Sequence, residues 1–325
     1  MKLKPWLSAI FLGLAATGVN AQEAYPSKAI TIVVPNPPGG MNQITAQPLS
    51  AVIETLSKQP APVINKPGGT AAVGTAYVAN PKPDGYHILV TTPNLYLVVE
   101  KNKAQNVESP FKLEQIQPLA LTSADPLFLV VQADGSYKTL KELIADAKAK
   151  DGQLTYSTSG PLGITHVPLA MFTHAAGLKM RHLPTTGGGP AITQLLGGHS
   201  QVSGGGIAVV APHIKGGKIR ALASWGAKRH PNWADVPTFK ELGYDLEAYL
   251  WVGLFTTAGV PEPTFKAMRD LVRKAITDPM YQQAMQKANV DVDYRDTPEF
   301  VKFFREDHKR LGGAVARIAA EDKSK

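Results

Sequence analysis

The chain has no cysteine among its 325 residues. Disulfide cross-links, thiolate nucleophiles and cysteine metal sites are thereby excluded, and stability must rest on a packed core. Arginine is missing from the first half; the first is Arg181. An anion held by that half must be held by main-chain N–H groups, hydroxyls, amides or lysine, because bidentate guanidinium recognition is unavailable. Runs of like charge are also lacking. Lysine and arginine number 34 against 26 aspartates and glutamates, a net charge of +8. These charges are scattered, which speaks against a nucleic-acid arm and is compatible with the capture of small anions.

Long apolar runs are absent after the N-terminus. Lys2 and Lys4 precede an apolar stretch, Trp6 to Val19, too short to span a bilayer. Val19-Asn20-Ala21 then offers small residues to a signal peptidase. Residues 1–21 are read as a secretory signal peptide cut after Ala21, which places the mature protein in the periplasm. An uncleaved anchor and a buried first helix are the alternatives.

Enzyme signatures are scarce. There is no G-x-S-x-G elbow, and Ser159 with His166 is a local pair without a third member. "KGGKIR" lacks the hydroxyl and spacing of a phosphate-binding loop. "PNPPGG" has proline where a dinucleotide fingerprint needs glycine. The eight histidines include no pair three or four residues apart, so no helical metal site is expected. His174, His199, His213, His230 and His308 read as surface or capping residues. No cofactor and no metal is expected.

What is present is alternation. Ile30–Val34, Pro62–Asn65 and "GYHILVTT" read as strands, with helical patterns between them. Pro48 is expected to kink the first helix or delay its start. A comparable series runs from "LFLVVQ" (127–132), with a capping box at Thr139–Glu142, through "LTYST", "MRHLP", "QVSGGGI", "KIRALAS" and "LWVGLFTT". Helices are expected over 264–277, 279–288 and 298 to about 321. The pattern is α/β. Polar breaks at "LTSADP" (121–126) and "GYDLEAY" (243–249) suggest two lobes joined by two crossovers; a single doubly wound sheet is the alternative. Tyr249, Trp251, Phe255 and Phe128 read as core or hinge packing. Trp225 and Tyr96, at strand ends, are candidate ligand contacts.

Four turns stand out. "VVPNPPGGMNQITAQ" ends a strand and opens a helix. Pro37 and Pro38 stiffen it, and Gly39 and Gly40 let a ligand approach the backbone as Met41, Asn42 and Gln43 begin the helix. The first helical N–H groups have no intrahelical partner and make a nest for a carboxylate or phosphate oxygen. "STSGPLGITH" repeats the device with Ser157, Ser159, Gly160, Gly163, Thr165 and His166; "TTGGGPA" does so with Thr186, Gly187 and Gly188; "TTPNLY" adds Thr92 and Asn94. Two or three N–H bonds to a charged oxygen contribute about 1.5–3 kcal/mol each. A micromolar ligand needs about 8 kcal/mol. One turn is too little, and two facing each other suffice.

"YPSKAITIVVPNPPGG", "INKPGGTAAVGTAYVANPKPDGYHILV", "HLPTTGGGPAITQLLGG", "APHIKGGKIRALA", "DVPTFKELGY" and "WVGLFTTAGVP" together resemble the Bug family, the periplasmic solute receptors of tripartite tricarboxylate transporters. The resemblance implies a two-lobed Venus-flytrap fold of the type II periplasmic binding protein class. Lobe 1 is expected over 22–124 plus 247–325, and lobe 2 over 125–246. It implies a monomer that holds a small carboxylate between the turns at Pro38–Met41 and Ser159–His166. The partner would be a membrane permease or a sensor, and no nucleic acid. This chain has Gln43 and Gln47 where the family usually has Asp and Arg, and Thr185-Thr186 where it has Tyr-Lys. Those departures imply recognition by neutral donors. Leu162 and Ile164, at positions where small residues are usual, imply a more apolar pocket that favours an aromatic (phthalate-type) or aliphatic dicarboxylate over citrate. The competing class is an exported α/β hydrolase acting on a small organic acid.

Overall fold

A computed structural model describes residues 25–323; the expected leader, 1–21, lies outside them. The first lobe opens as β1 (Thr31–Val34), α1 (Met41–Ser57), β2 (Val63–Asn65), α2 (Ala72–Ala79), β3 (His87–Thr91) and α3 (Asn94–Gln105). β1 pairs in parallel with both β2 and β3. A 17-residue strand, β4 (Ile116–Gln132), follows and runs out of this lobe.

The second series is α4 (Leu140–Ala149), β5 (Thr155–Thr158), α5 (His166–Ala175), β6 (Arg181–Pro184), α6 (Gly188–Leu196), β7 (Val202–Gly206), α7 (Ile207–Lys215) and β8 (Ile219–Ser224). The chain returns along β9 (Tyr249–Thr257) to α8 (Glu262–Thr277), α9 (Pro279–Lys287), β10 (Arg295–Asp296) and α10 (Thr297–Asp307). A π-helical turn at His308–Gly312 leads into α11 (Gly313–Lys323).

Two sheets share β4. From Ile116 to Pro126 it pairs antiparallel with β9, which pairs on its other side with β3. From Leu127 to Gln132 it lies between β7 and β8, and β7 continues to β5 and β6. The change of partner falls within "LTSADP". That polar stretch, expected as one of two strand-like crossovers between lobes, is continuous strand, with register shifts at 118/120 and 121/123. Thr122 Oγ1 there donates to Val252 O at 3.0 Å, whereas Ser123 Oγ and Asp125 Oδ2 are buried without a hydrogen-bond partner.

Of the two outcomes expected at Pro48, a kink or a delayed start, the delay does not occur: α1 starts at Met41 and carries the proline inside it, and the buried face of Met41, Thr45, Ala46, Leu49, Val52 and Ile53 holds the helix in place despite the missing donor. α3 and α7 were not foreseen. Both are rich in β-branched and apolar residues ("LYLVV", "IAVV"), whose local preference for strand is overridden by packing on both lobes' sheets.

The C-terminal helices bind the first lobe together through one buried carboxylate. Asp307 Oδ2 accepts from Tyr96 Oη and from Trp251 Nε1, each at 2.6 Å. The Arg310 guanidinium pairs with the same group and also reaches Glu247 at 3.2 Å. Tyr96 stacks on His308. The network therefore joins α3, the return crossover β9 and the π-helical turn. Asp307→Ala leaves a buried phenol and a buried indole without their acceptor and is expected to cost about 1–3 kcal/mol for each. Urea denaturation of wild type and variant measures this, and equal stabilities would contradict the assignment.

Candidate functional site

Where the carboxyl ends of both sheets face each other, the lobes enclose a cavity of about 60 Å³. Five helices of the described chain begin at its wall, each directly after a strand: α1 at Gly40 and Met41, α3 at Asn94, α5 at Thr165, α6 at Gly187 and Gly188, and α7 at Gly206. The first N–H groups of a helix have no intrahelical acceptor, although in α5 those of His166 and Val167 already donate to Gly163 O, and in α3 those of Leu95 and Tyr96 donate to Thr92 O and Pro93 O. None of the five has a side-chain cap, and none has an acidic residue in its first turn. Of the helices that start elsewhere, α4 and α10 carry complete capping boxes and α9 is capped by Asp278, whereas α2 and α8 have no side-chain cap. Most of the uncapped positive ends among the described residues are thus at the cavity.

No residue of the cavity wall carries a formal charge. Its polar side chains are Asn36, Asn42, Thr92, Asn94, Ser159 and Thr165. Asn42 Nδ2 donates to Asn36 Oδ1 at 2.6 Å, while Asn42 Oδ1 is buried without a hydrogen bond in the protein. Met41, Ile164, Val209 and Leu250 supply apolar surface.

The two halves of the wall touch. Asn94 Oδ1, from the first lobe, accepts from Ile164 N of the second at 2.8 Å. A Cβ on Gly189 would stand 3.7 Å from Gly39 O. The second-lobe turn is held in shape by Thr165, whose Oγ1 accepts from Ser159 N and contacts Ser159 Oγ, both at 2.8 Å.

Of the residues singled out in the sequence, Pro38, Gly40, Met41, Asn42, Thr92, Asn94, Ser159, Thr165, Gly187 and Gly188 line this cavity. The others stand off its wall. Gly39, at φ +88°, lies on an outer depression with Gly189 and Pro190. Gln43 braces the first turn, its Oε1 accepting from Asn65 Nδ2 at 2.9 Å. Ser157 is in the core, donating to Ala191 O and accepting from Ser200 Oγ, both at 2.9 Å. Gly160 and Gly163 pack on Thr70. His166 is buried under the turn, and Thr186 is exposed. Leu162 is also off the wall; its N–H donates to His166 Nδ1 at 2.8 Å. Tyr96 and Trp225 are fully buried core residues rather than ligand contacts.

Sequence reasoning missed Gly205, Gly206 and Leu250. A Cβ on Gly206 would come within 2.2 Å of Leu250 Cδ2, and one on Gly205 within 2.5 Å of Val210 Cγ1. Three glycines in succession inside a strand were the available signal of close approach.

The Ser159–His166 pair does not form. Ser159 Oγ faces Thr165, whereas His166 Nε2 faces Tyr156 Oη at 3.1 Å. His166 is stacked on His182 with ring centroids 3.8 Å apart, and His182 on Tyr156.

This geometry finds its match in known proteins. The profile of the tripartite tricarboxylate transporter family receptor matches residues 46–319. The chain belongs to that family. A Cupriavidus necator protein named for its place in the gbd 5′ region is 31% identical over 94% of this chain and 93% of its own. BugT of Bordetella pertussis is 26% identical over 99% of both. Among solved structures, a periplasmic transporter at 28% identity superposes with a TM-score of 0.83, over 90% of the receptor and 97% of that chain. MatC of Rhodopseudomonas palustris, solved with malate, shares the fold at 22% identity and TM-score 0.82, covering 90% of the receptor and 100% of its own chain. A further R. palustris protein, solved with adipate, does so at 20% and 0.82, over 91% and 98%. The receptor is a two-lobed solute-binding protein of this family, and its relatives are binding proteins rather than enzymes.

Burial lowers the His182 pKa to about 4, so the ring is neutral in the folded stack. In the unfolded chain a histidine takes its proton near pH 6.5. Between these values the unfolded state binds more protons, so stability falls as pH drops from about 6.5 toward 4. Urea midpoints across that window should decline, and His182→Gln should flatten the decline. An unchanged slope would contradict the assignment.

Proposed function

We propose that the receptor captures a small dicarboxylate, aliphatic or aromatic, in the periplasm and presents it to a tripartite-type permease or a sensor protein. The observation that carries this reading is the convergence of five uncapped helix N-termini on a cavity without a charged side chain. Each N-terminus is equivalent to roughly half a positive charge, so five amount to about 2.5 positive charges, enough to offset both charges of a dicarboxylate. The absence of an acidic wall residue leaves no partner for a ligand ammonium group. The malate and adipate held by the two R. palustris proteins support the same class.

Capture would follow from the lobe arrangement. The open form offers the α1 and α3 termini of the first lobe, 22–124 plus 247–325. Closure about the crossovers brings the α5, α6 and α7 termini of the second, 125–246. Ile164, Val209 and Leu250 then cover the carbon skeleton, and the Asn94–Ile164 bond latches the lobes. No step in this cycle requires a catalytic group. Among the described residues no helix is long and apolar enough to cross a membrane.

A thermal-shift screen of mono-, di- and tricarboxylates tests the reading. Dicarboxylates are expected to raise Tm most, and their diesters not at all. Gly40 has nothing within 4 Å of an added Cβ and an ordinary negative φ. Gly40→Val should therefore fold normally yet bind at least about tenfold more weakly, because its side chain enters the anion's place. Full affinity in that variant, or no response to any dicarboxylate, would overturn the proposal.

A further inference from the structure

On the side of the molecule where the crossovers run, three side chains from distant parts of the sequence meet. Asp125 lies on β4 at the point where the strand changes sheets. His230 comes from the loop after β8, in the second series. Asp291 comes from the segment between α9 and β10, packed with the first. One ligand-type atom from each lies within 4.8 Å of the other two. Asp125 and His230 are 4% and 5% exposed, whereas the Asp291 side chain is 60% exposed. All three line a surface recess with Asp293, Tyr249 and Lys228.

The cluster is not explained by its internal bonds. His230 Nε2 stands 3.7 Å from Asp125 Oδ1 and 3.6 Å from Asp291 Oδ2, beyond hydrogen-bond distance. Both His230 Nε2 and Asp125 Oδ2 are buried without a hydrogen-bond partner. Two buried polar atoms left this way are costly unless something else satisfies them. The neighbouring arginine does not supply a counter-charge, since Arg229 is committed to Glu241 at 2.9 and 3.0 Å. Asp293 is likewise committed, to Arg295.

We propose that Asp125, His230 and Asp291 form a zinc site that ties the second lobe's loop to the first lobe's tail across the crossover. The ligand set is one imidazole nitrogen and two carboxylate oxygens, with a fourth position open to water through the exposed Asp291 side. Zn²⁺ bonds such ligands at about 2.0–2.2 Å in tetrahedral geometry, so neighbouring ligand atoms lie about 3.3–3.5 Å apart. The two histidine–carboxylate distances exceed that by only a few tenths of an ångström. Coordination through Nε2 places the ring proton on Nδ1. That gives up the 3.2 Å bond Nδ1 now accepts from Asn232 N, a residue exposed enough for its N–H to turn to water. No covalent or redox step is involved. The site lies outside the enclosed cavity, sharing no residue with its wall.

The test is calorimetric titration of the full receptor, prepared without a polyhistidine tag, with ZnCl₂. Saturable binding of one Zn²⁺ per chain is expected, with a rise in Tm and, with Co²⁺ as the probe, the visible spectrum of a four-coordinate ion. Asp291→Asn changes an exposed side chain and should leave the metal-free Tm and the carboxylate response unaltered while weakening zinc at least about tenfold. Asp125→Asn should weaken it as well. The absence of one-to-one binding below about 100 μM zinc, an affinity of only some 5.5 kcal/mol, would overturn the proposal. Wild-type affinity in both variants would do so equally.

Discussion

A cavity proposed to hold an anion without a positive side chain depends on neutral donors: the peptide dipoles at its helix starts, aided by the amides and hydroxyls of its wall. The main constraint on this molecule is therefore where its helices begin. Strand–turn–helix units place helix N-termini at the carboxyl end of a sheet, and two sheets set edge to edge bring five of them to one point. Glycines at Gly40, Gly187, Gly188 and Gly206 keep side chains out of the way. The lack of caps and acidic first turns leaves the field uncancelled. In a low-dielectric enclosure such dipoles act more strongly than in water.

The sheets can meet this way because β4 belongs to both and β9 returns beside it. The return strand also carries Leu250 to the cavity wall and Trp251 to Asp307. Asp307 in turn holds Tyr96, two residues beyond Asn94 on α3. The start of one anion-facing helix and a crossover strand are thus fixed by the same carboxylate. A change in the crossover is felt at the cavity through short, packed paths rather than through a long relay.

Much of the site was legible in the sequence because it is made of turns. Pro37 to Met41, Ser159 to Thr165 and Gly187-Gly188 declare themselves through proline, glycine and hydroxyl residues at strand–helix junctions. The rest depended on tertiary packing. α3 and α7 look like strand locally and become helix only against the sheets. Ser157 and His166 belong to the right turn, but the strand's alternation and the helix's first turn point them inward. Trp225 follows the end of β8 and Tyr96 lies inside α3, and both are buried in the core. Leu250 entered the site from a hinge strand, and the Asp125–His230–Asp291 cluster joins residues separated by 61 to 166 positions, which no spacing rule detects.

The most direct measurement of the central claim is a crystal structure of the receptor loaded with the dicarboxylate that stabilises it most. The account predicts both carboxylates within hydrogen-bond distance of main-chain nitrogens from the first turns of helices in both lobes, with no lysine or arginine in contact. A ligand held chiefly by an ammonium or guanidinium group, or seated outside the cavity that these helix ends enclose, would contradict it.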